Sequence, residues 1–316
     1  MADADRTPVA LLTGFLGSGK TTLLSRLLAD PGMGETAVIV NELGEVAVDH
    51  HLLRRVDERT VVLESGCVCC TLRGDLADEL RDLLSRRTRG EIPWFRRVVV
   101  ETTGLADPAP ILYTLVSEPV VKSHFALERV ITTVDAQHGL RGPESLRQAA
   151  AADRLVVTKT DLADPAPLER ELEALNPTAE VLEASFGDVT PDQLFGGPGH
   201  EPRVSVLDPD EHAHSDGVRA HSLVFDEQLD WTAFGVWLTM LLAARGEDLL
   251  RVKGLLNVGG SGPLVLNGVQ HVVHPPIHLD EWPDDDQRSR IVFIGRGFTA
   301  AELERSLVAF NRAARP

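Results

Sequence analysis

Three cysteines, Cys67, Cys69 and Cys70, are the only thiols in the chain, and they fall within four consecutive positions. Thiolates are soft ligands that suit Zn²⁺ and related ions such as Co²⁺ and Ni²⁺. Three thiols in four residues cannot all point one way from a regular strand, so either Gly66 introduces a turn or only two bind at once. A buried structural cluster and a C-x-x-C redox pair are alternatives at this point, since Cys67 and Cys70 have the redox spacing.

Composition and charge limit the classes of protein that come into question. So few cysteines in odd number and close succession argue against a disulfide framework and for a reducing, cytoplasmic compartment. The N-terminus lacks the basic region and cleavage site of a signal peptide, and no apolar run is long enough to span a bilayer. A net charge of −17 argues against a nucleic-acid-binding face. We therefore expect a cytoplasmic protein with neither nucleic acid nor membrane as partner.

A second group of residues that could do chemistry is GFLGSGKT, residues 14–21. It fits G-x-x-x-x-G-K-[ST] and lies between a predicted strand and a predicted helix. Glycines allow backbone N–H groups to turn inward around phosphate oxygens, and the helix N-terminus adds partial positive charge. Lys20 can reach the terminal phosphates, and the hydroxyl of Thr21 suits Mg²⁺. The predicted nucleotide contacts of this segment are Gly14, Gly17, Ser18, Gly19, Lys20, Thr21 and Thr22.

Such a loop needs an acidic residue on a neighbouring strand for the metal, and VVVETTGLADP (98–108) provides one. Glu101 ends an apolar run, which makes it a candidate for the Mg²⁺–water shell. Gly104 can donate its N–H to a γ-phosphate and change conformation when that phosphate leaves. Lys20, Thr21, Glu101 and Gly104 are the predicted catalytic residues.

The segment VVTKTD (156–161) comes after another apolar run and bears on the choice of base. The carboxylate of Asp161 can accept hydrogen bonds from guanine, and the stem of Lys159 can pack along the ring. Thr158 stands where the usual pattern has Asn. The alternative is a plain loop after a strand, and GTP is the favoured nucleotide.

Short Val- and Ile-rich runs alternate with helical patterns in the first part of the chain, which is typical of an α/β fold. We predict a P-loop NTPase parallel sheet with helices on both faces, including a helix over 74–87, and a smaller C-terminal α+β domain. In the latter we expect a helix near 231–244 and a last helix opened by a capping box of Thr299 and Glu302. The predicted strands lie at 9–13, 36–41, 97–101, 129–135, 154–159 and 179–184, and then at 220–226 and near 249–258, 263–273 and 290–295.

The composition changes sharply between these two parts, which suggests the domain boundaries. Residues 187–218 contain seven acids, one Arg and several Gly and Pro, as in a linker or mobile loop. We therefore expect a nucleotide-binding domain over 1–186, a linker over 187–218 and the C-terminal domain over 219–316.

Four motifs follow one another along the chain: GFLGSGKTTLL, NELGEVAVD (41–49), ESGCVCC (64–70) and ETTGLADP (101–108). In this order they resemble the CobW-type metallochaperone GTPases, relatives of the urease and hydrogenase nickel-insertion GTPases. RVKGLL, NGVQ and RIVFIGR, between residues 251 and 296, resemble the small C-terminal domain of that family. The TKTD variant resembles one bacterial branch of it.

The resemblance implies that the thiol motif binds a transition metal, typically zinc or cobalt, close to the nucleotide. It further implies that 41–49 is the first switch segment, that Glu42 and Glu45 are acidic candidates to join the thiols, and that Asp49 assists Mg²⁺. Some relatives carry a further Glu directly before the switch Asn. Here that position is Val40, so a ligand set that depends on it does not carry over.

These observations together predict a GTPase that couples GTP binding and hydrolysis to transfer of a metal, zinc above all, to an unidentified metalloprotein client. A homodimer is possible. No Gln comes after Gly104 and no arginine finger is evident, so we expect slow intrinsic turnover. A zinc buffer or sensor without enzymatic activity and a P-loop ATPase or kinase are the alternatives. We interpret the histidines, among them His212, His214 and His221, as surface or packing residues, with auxiliary metal capture as the alternative.

Overall fold

The structure, a computed structural model, describes residues 6–41, 61–65, 74–196 and 217–314. The chain divides into two compact units, one of Met1–Arg170 with Glu180–Gly199 and the other of Glu171–Ala179 with His200–Pro316.

The larger unit is built on a seven-stranded sheet whose strand pairs are all parallel, in the order β3-β2-β4-β1-β5-β6-β7. Its strands are β1 (Thr7–Gly14), β2 (Thr36–Asn41), β3 (Val61–Ser65), β4 (Arg97–Glu101), β5 (Phe125–Asp135), β6 (Arg154–Thr158) and β7 (Glu180–Ala184). The helices that alternate with these strands are α1 (Lys20–Leu28), α2 (Gly74–Thr88), α3 (Pro108–Ser117), α4 (Pro119–His124), α5 (Gly142–Ala151), α6 (Ala166–Leu175) and α7 (Pro191–Phe195), and the division between the two units falls within α6.

Continuous apolar runs form these strands because both faces of the sheet are covered. On one face, Ala10 and Leu12 of β1 share a core with Leu23 and Leu27 of α1. Leu11 points to the opposite face and is also fully buried, and α5 contacts β1 and β5. The predicted α/β fold with helices on both faces is confirmed.

Two features of this unit differ from the sequence-based expectation. The strand β3 was not predicted, because its short run VVLES runs directly into the thiol motif. The predicted linker begins too early, since Pro191–Phe195 forms the helix α7, whose Leu194 and Phe195 lie in the core beside α1. A capping box between Thr190 and Gln193 begins this helix.

The smaller unit is an antiparallel sheet in the order β11-β10-β9-β13-β8, with β12 paired to β10. Its strands are β8 (Arg219–Phe225), β9 (Leu249–Leu256), β10 (Leu264–Val269), β11 (Val272–Val273), β12 (Ile277–His278) and β13 (Ser289–Gly295). The helices α8 (Trp231–Arg245) and α9 (Ala300–Ala314) pack together. Trp237 of α8, Phe293 of β13 and Leu307 of α9 share one core. The predicted α+β class is confirmed, and Glu302 accepts from Thr299 N–H as the capping box requires.

Across the described parts of the chain, no helix combines the length and the apolar character that crossing a bilayer demands.

Candidate functional site

The glycine loop between β1 and α1 lies where an open parallel sheet binds its ligands. The strand β1 is flanked by β4 and β5. The chain goes from β1 to β2 on the β4 side and later crosses from β4 to β5 on the other side, which opens a crevice at the carboxyl ends of the strands. Three glycines of the loop have positive φ: 142° at Gly14, 75° at Gly17 and 90° at Gly19. The helix α1 starts directly behind them at Lys20, so the N–H groups of its first turn point towards the loop.

Gly14 tolerates no side chain for a second reason besides its φ. A Cβ there would stand 2.7 Å from Ser18 Oγ and closer still to Thr133 Oγ1. These two hydroxyls lie 2.6 Å apart and share a hydrogen bond, which joins the loop to β5. The loop is therefore held against the sheet by contacts that require glycine at its first position.

Lys20 and Thr21 lie at the start of α1, and each makes hydrogen bonds within the protein that a bound nucleotide and Mg²⁺ would replace. Lys20 Nζ donates to the carbonyl oxygens of Gly14 at 2.8 Å and Phe15 at 3.2 Å, within the loop itself. Thr21 Oγ1 donates to Glu101 Oε1 at 2.8 Å, and Glu101 is 2% exposed. A hydroxyl and a buried carboxylate side by side are hard oxygen donors of the kind Mg²⁺ takes, so these two residues fit that ion.

The segment after β4 touches the phosphate loop directly. A Cβ on Gly104 would stand 2.5 Å from the backbone nitrogen of Leu16, so the two backbones approach closely. Gln148 on α5, fully buried, donates to the carbonyl oxygens of Gly104 at 3.1 Å and Ala106 at 3.0 Å. Its Oε1 has no hydrogen-bond partner in the described part of the chain. Sequence reasoning missed Gln148, because a contact across 44 residues leaves no local signal.

A cleft opens on the α5 side of the phosphate loop, and Gln148 lines it. Its other lining residues come from the loop, from the end of β5 and from the start of α5; they include Phe15, Leu16, Asp135, His138, Arg141 and Ser145. The cleft therefore connects the phosphate loop with Asp135 at the end of β5, which binds the ammonium of Lys159.

Thr158, the departure from the usual Asn, still ties β6 to the phosphate loop. Its hydroxyl donates to Ser18 O at 2.7 Å and makes a longer bond to Val134 O at 3.3 Å. Thr158 thus provides a hydrogen bond between the end of β6 and the loop.

Lys159 is held by a buried carboxylate that the sequence did not single out. Its Nζ lies 2.7 Å from Asp135 Oδ2, which also accepts from His138 Nδ1 at 2.7 Å. Oδ1 accepts from Gln137 N–H at 2.8 Å. Burial alone would raise the pKa of Asp135, but the hydrogen bonds from His138, Lys159 and Gln137 outweigh it and hold that pKa below its ordinary value. Asp135 is therefore an ionised anchor for Lys159.

Asp161 lies exposed beside a loop at the end of β7 that sequence reasoning also missed. Ser185 Oγ donates to Asp161 Oδ1 at 3.4 Å. Two residues on, a Cβ on Gly187 would stand 3.1 Å from Leu23 Cα and 3.2 Å from Thr22 O, so the loop rests on the first turn of α1. The loop therefore spans from Asp161 to the helix behind the phosphate loop.

The predicted transition-metal ligands Cys67, Cys69, Cys70, Glu42 and Glu45 and the predicted Mg²⁺ residue Asp49 lie outside the described residues. His212 and His214 do so as well. Where the structure does describe the chain, no group of three or more His, Cys, Asp or Glu side chains could hold a metal ion. His221 is in contact with the ring of Phe298, and burial lowers its pKa.

Sheet topology and glycine loop together define the class of P-loop nucleoside triphosphate-binding proteins. Within that class the chain belongs to the CobW/HypB/UreG family. The family model described as CobW/HypB/UreG, nucleotide-binding domain, matches residues 8–183, and the Cobalamin synthesis protein cobW C-terminal domain matches residues 218–311. The resemblance inferred from the four motifs is thereby confirmed.

Individual relatives agree with this assignment. The zinc chaperone YjiA of Escherichia coli is 35% identical over 315 residues, covering 96% of this chain and 98% of its own. The zinc-regulated GTPase metalloprotein activator 1 of Schizosaccharomyces pombe is 28% identical and covers 92% of this chain and 83% of its own. The crystal structure of Zn(II)-bound YjiA GTPase from E. coli superimposes with a TM-score of 0.76 at 31% identity, over 96% of this chain and 99% of that one.

Proposed function

We propose that this protein is a GTPase that binds a transition metal, zinc in the first place, and couples GTP binding and hydrolysis to delivery of that metal to a client metalloprotein. The observation that carries the proposal is the strand register at one edge of the sheet. Asn41 of β2 pairs with Ser65 of β3, and Val40 pairs with Glu101 of β4. The carboxyl-terminal ends of the strands β2, β3 and β4 therefore lie side by side.

This register supports coupling because both metal-binding candidate segments begin within two residues of these strand ends. The proposed switch segment 41–49 begins at Asn41, so Glu42 comes directly after the end of β2, while Cys67 comes two residues after Ser65. Glu101 contacts Thr21 of the phosphate loop. The switch segment and the thiols are thus attached at the edge where the triphosphate would bind, and we propose Cys67, Cys69 and Cys70 with Glu42 and Glu45 as the metal ligands.

The nucleotide half of the proposal rests on the described residues. The glycines of the loop and the start of α1 present N–H groups to the phosphates. Lys20 would leave its carbonyl partners for phosphate oxygens, where it stabilises the charge that develops during attack of water. Mg²⁺ held by Thr21 and Glu101, with help from Asp49, would supply further neutralisation of that charge. Gly104 would donate its N–H to the γ-phosphate.

Guanine is the proposed base because Lys159 and Asp161 come after β6 on the same edge. Asp161 would accept from the ring, and Lys159, anchored by Asp135, would lie along it. The relatives named as GTPases support this choice.

A slow intrinsic rate fits the segment after Gly104. Asp107 is the one polar residue in the run Leu105–Asp107, and its carboxylate caps α3 by accepting from Ala109 N–H at 3.0 Å. A residue in that structural role is poorly suited to orient water. We therefore propose that metal, a client or a second copy of the chain accelerates hydrolysis, and that the C-terminal domain contributes client contacts.

The test is the affinity for Zn²⁺, measured with GDP and with a non-hydrolysable GTP analogue by competition with a chelating dye. We expect different affinities, and by linkage an equal effect of zinc on nucleotide affinity. Thiolate coordination should release protons on binding. The matched control is the variant with all three cysteines replaced by serine, which should keep nucleotide binding and lose the zinc effect.

Each alternative predicts a different result. Equal zinc affinities in both nucleotide states would refute the coupling. If GTP is not hydrolysed in single-turnover experiments with or without zinc, the protein is a zinc buffer that binds nucleotide. Transfer of phosphate to a small substrate, or a preference for ATP in competition, would favour the kinase or ATPase.

A further inference from the structure

We infer that the aromatic ring of Phe186, on the loop beside Asp161, stacks on the purine of the bound nucleotide. This inference rests on the proposed nucleotide function and adds a residue to which neither the motifs nor the relatives assign a role. It is based on the backbone conformation of Phe186, on its position and on its exposure.

The backbone of Phe186 is left-handed, with φ of 51°. This conformation costs about 1–2 kcal/mol for a residue with a Cβ. In the described part of the chain only four residues other than glycine have positive φ, and Phe186 is the only aromatic one; the others are Glu35, Lys159 and Gln270. Strain of this kind persists where the surroundings impose it, commonly at ligand sites.

The neighbours of Phe186 place it between the two ends of a bound nucleotide. On one side Ser185 Oγ donates to Asp161, the proposed base reader. On the other side Gly187 rests on Thr22 and Leu23 in the first turn of α1, directly behind the phosphate loop. A nucleotide with its phosphates on that loop and its base at Asp161 has to pass the loop that carries Phe186.

Phe186 is 75% exposed, more than any other large apolar residue in the described part of the chain. Ser185 and Asp188 fix the turn around it, since Ser185 N–H donates to Asp188 Oδ1 at 2.7 Å. A rigid turn that keeps an aromatic ring in water gains free energy when a flat aromatic ligand covers the ring.

Lys159 provides the matching wall at the end of the neighbouring strand β6. It too is left-handed, with φ of 58°, and its ammonium is bound to Asp135. Asp161 comes two residues later and lies beside Ser185. Stacking is indifferent to the edge of the base, so Phe186 would contribute affinity for purines in general while Asp161 selects guanine.

The experiment compares Phe186→Ala, Phe186→Gly and Phe186→Tyr with the unmodified protein by calorimetric titration with GDP, IDP and tripolyphosphate. We expect Ala and Gly to weaken GDP and IDP binding by the same factor, about 5- to 150-fold. Tyr should stay within about threefold, because it keeps the ring. Tripolyphosphate affinity should not change, since that ligand has no base. Trp94→Ala, which removes another exposed aromatic side chain of the same unit, is the control and should leave all three affinities unchanged.

The glycine variant separates stacking from loop structure, because glycine adopts positive φ freely. We expect Phe186→Gly to unfold at a temperature no lower than that of Phe186→Ala and still to bind GDP weakly. Wild-type GDP affinity in both variants would overturn the inference, and so would an equal loss of tripolyphosphate binding. If the unmodified protein prefers ADP to GDP, the guanine assignment fails instead, and the same variants titrated with ADP still decide the role of the ring.

Discussion

The phosphate end and the base end of the candidate nucleotide site both depend on left-handed backbone, but they achieve it with different residues. At the phosphate end the left-handed or otherwise positive φ values belong to Gly14, Gly17 and Gly19. At the base end they belong to Lys159 and Phe186, which carry large side chains. Phosphates are bound by backbone N–H groups, so a side chain there would be an obstacle. A base is recognised by side chains, so strain is tolerated to aim them.

The largest effect should come from placing a side chain at the phosphate end. In Gly14→Ala the Cβ meets Ser18 Oγ and Thr133 Oγ1 while φ is 142°, a combined cost of about 3 kcal/mol that should weaken GDP and GTP binding about 100-fold. Calorimetric titration measures this effect. Gly90→Ala is the matched control, because Gly90 has φ of 70° and no atom within 4 Å of a Cβ. If both variants bind nucleotide as tightly as the unmodified protein does, the phosphate end does not require glycine at position 14.

The next effect concerns recognition at the base end. Asp161→Asn replaces a carboxylate, which only accepts hydrogen bonds, by a carboxamide, which has one accepting oxygen and one donating NH₂ group. GDP affinity should therefore fall about 10- to 100-fold. Xanthosine diphosphate, whose ring presents an acceptor at the matching position, should gain affinity. Competition between the two diphosphates measures the switch. An unchanged preference would show that Asp161 does not read the base, and would leave the phosphate end unaffected.

The smallest effect tests the anchor of Lys159. Asp135→Asn removes the charge that accepts from Lys159 and His138, and should lower the free energy of unfolding at pH 7 by about 1–2 kcal/mol. Because the pKa of Asp135 is depressed in the folded protein, its contribution is present above its ordinary value of 3.8 and is lost as pH falls through the lower folded value. The gap between variant and unmodified protein in urea unfolding should therefore close below about pH 4.

His138→Ala is the control for that series, since it removes one donor and keeps the carboxylate. The free energy of unfolding of His138→Ala should exceed that of Asp135→Asn at pH 7 by most of the amount by which the unmodified protein exceeds it, and this difference should also close at low pH. A gap of constant size from pH 3 to pH 8 would contradict the role of Asp135 as an ionised anchor.

The sequence predicted the phosphate loop, Glu101 and the TKTD segment because each is a local pattern attached to a strand end. Parallel strands bring such ends to one edge whatever the details of packing. Gln148 and Asp135 were not predictable, because their roles depend on tertiary contacts with Gly104 and Lys159. Phe186 was not predictable either, since backbone conformation decides where its ring lies. The family resemblance, not spacing, provided the roles proposed for Glu42, Glu45 and Asp49.

The helix α7 illustrates how composition can mislead. The acidic, glycine- and proline-containing stretch from residue 187 has the composition of a linker, yet Thr190 and Gln193 have the spacing of a capping box and precede two apolar residues. That signal is only four residues long, and it is outweighed by the polar residues around it. Burial of Leu194 and Phe195 against the core decided the outcome.

The unbroken pairing of β2 with β3, from Ala37–Val61 to Asn41–Ser65, has a consequence for evolution and engineering. Because neighbouring residues of a strand face opposite sides of a sheet, one residue inserted within 61–65 would turn the chain that leads into the cysteines towards the other face. Insertions or deletions of a single residue there should be selected against, whereas substitutions that preserve spacing should be tolerated. The length of this short strand, more than its composition, is the quantity that a designer of a related metal carrier must keep.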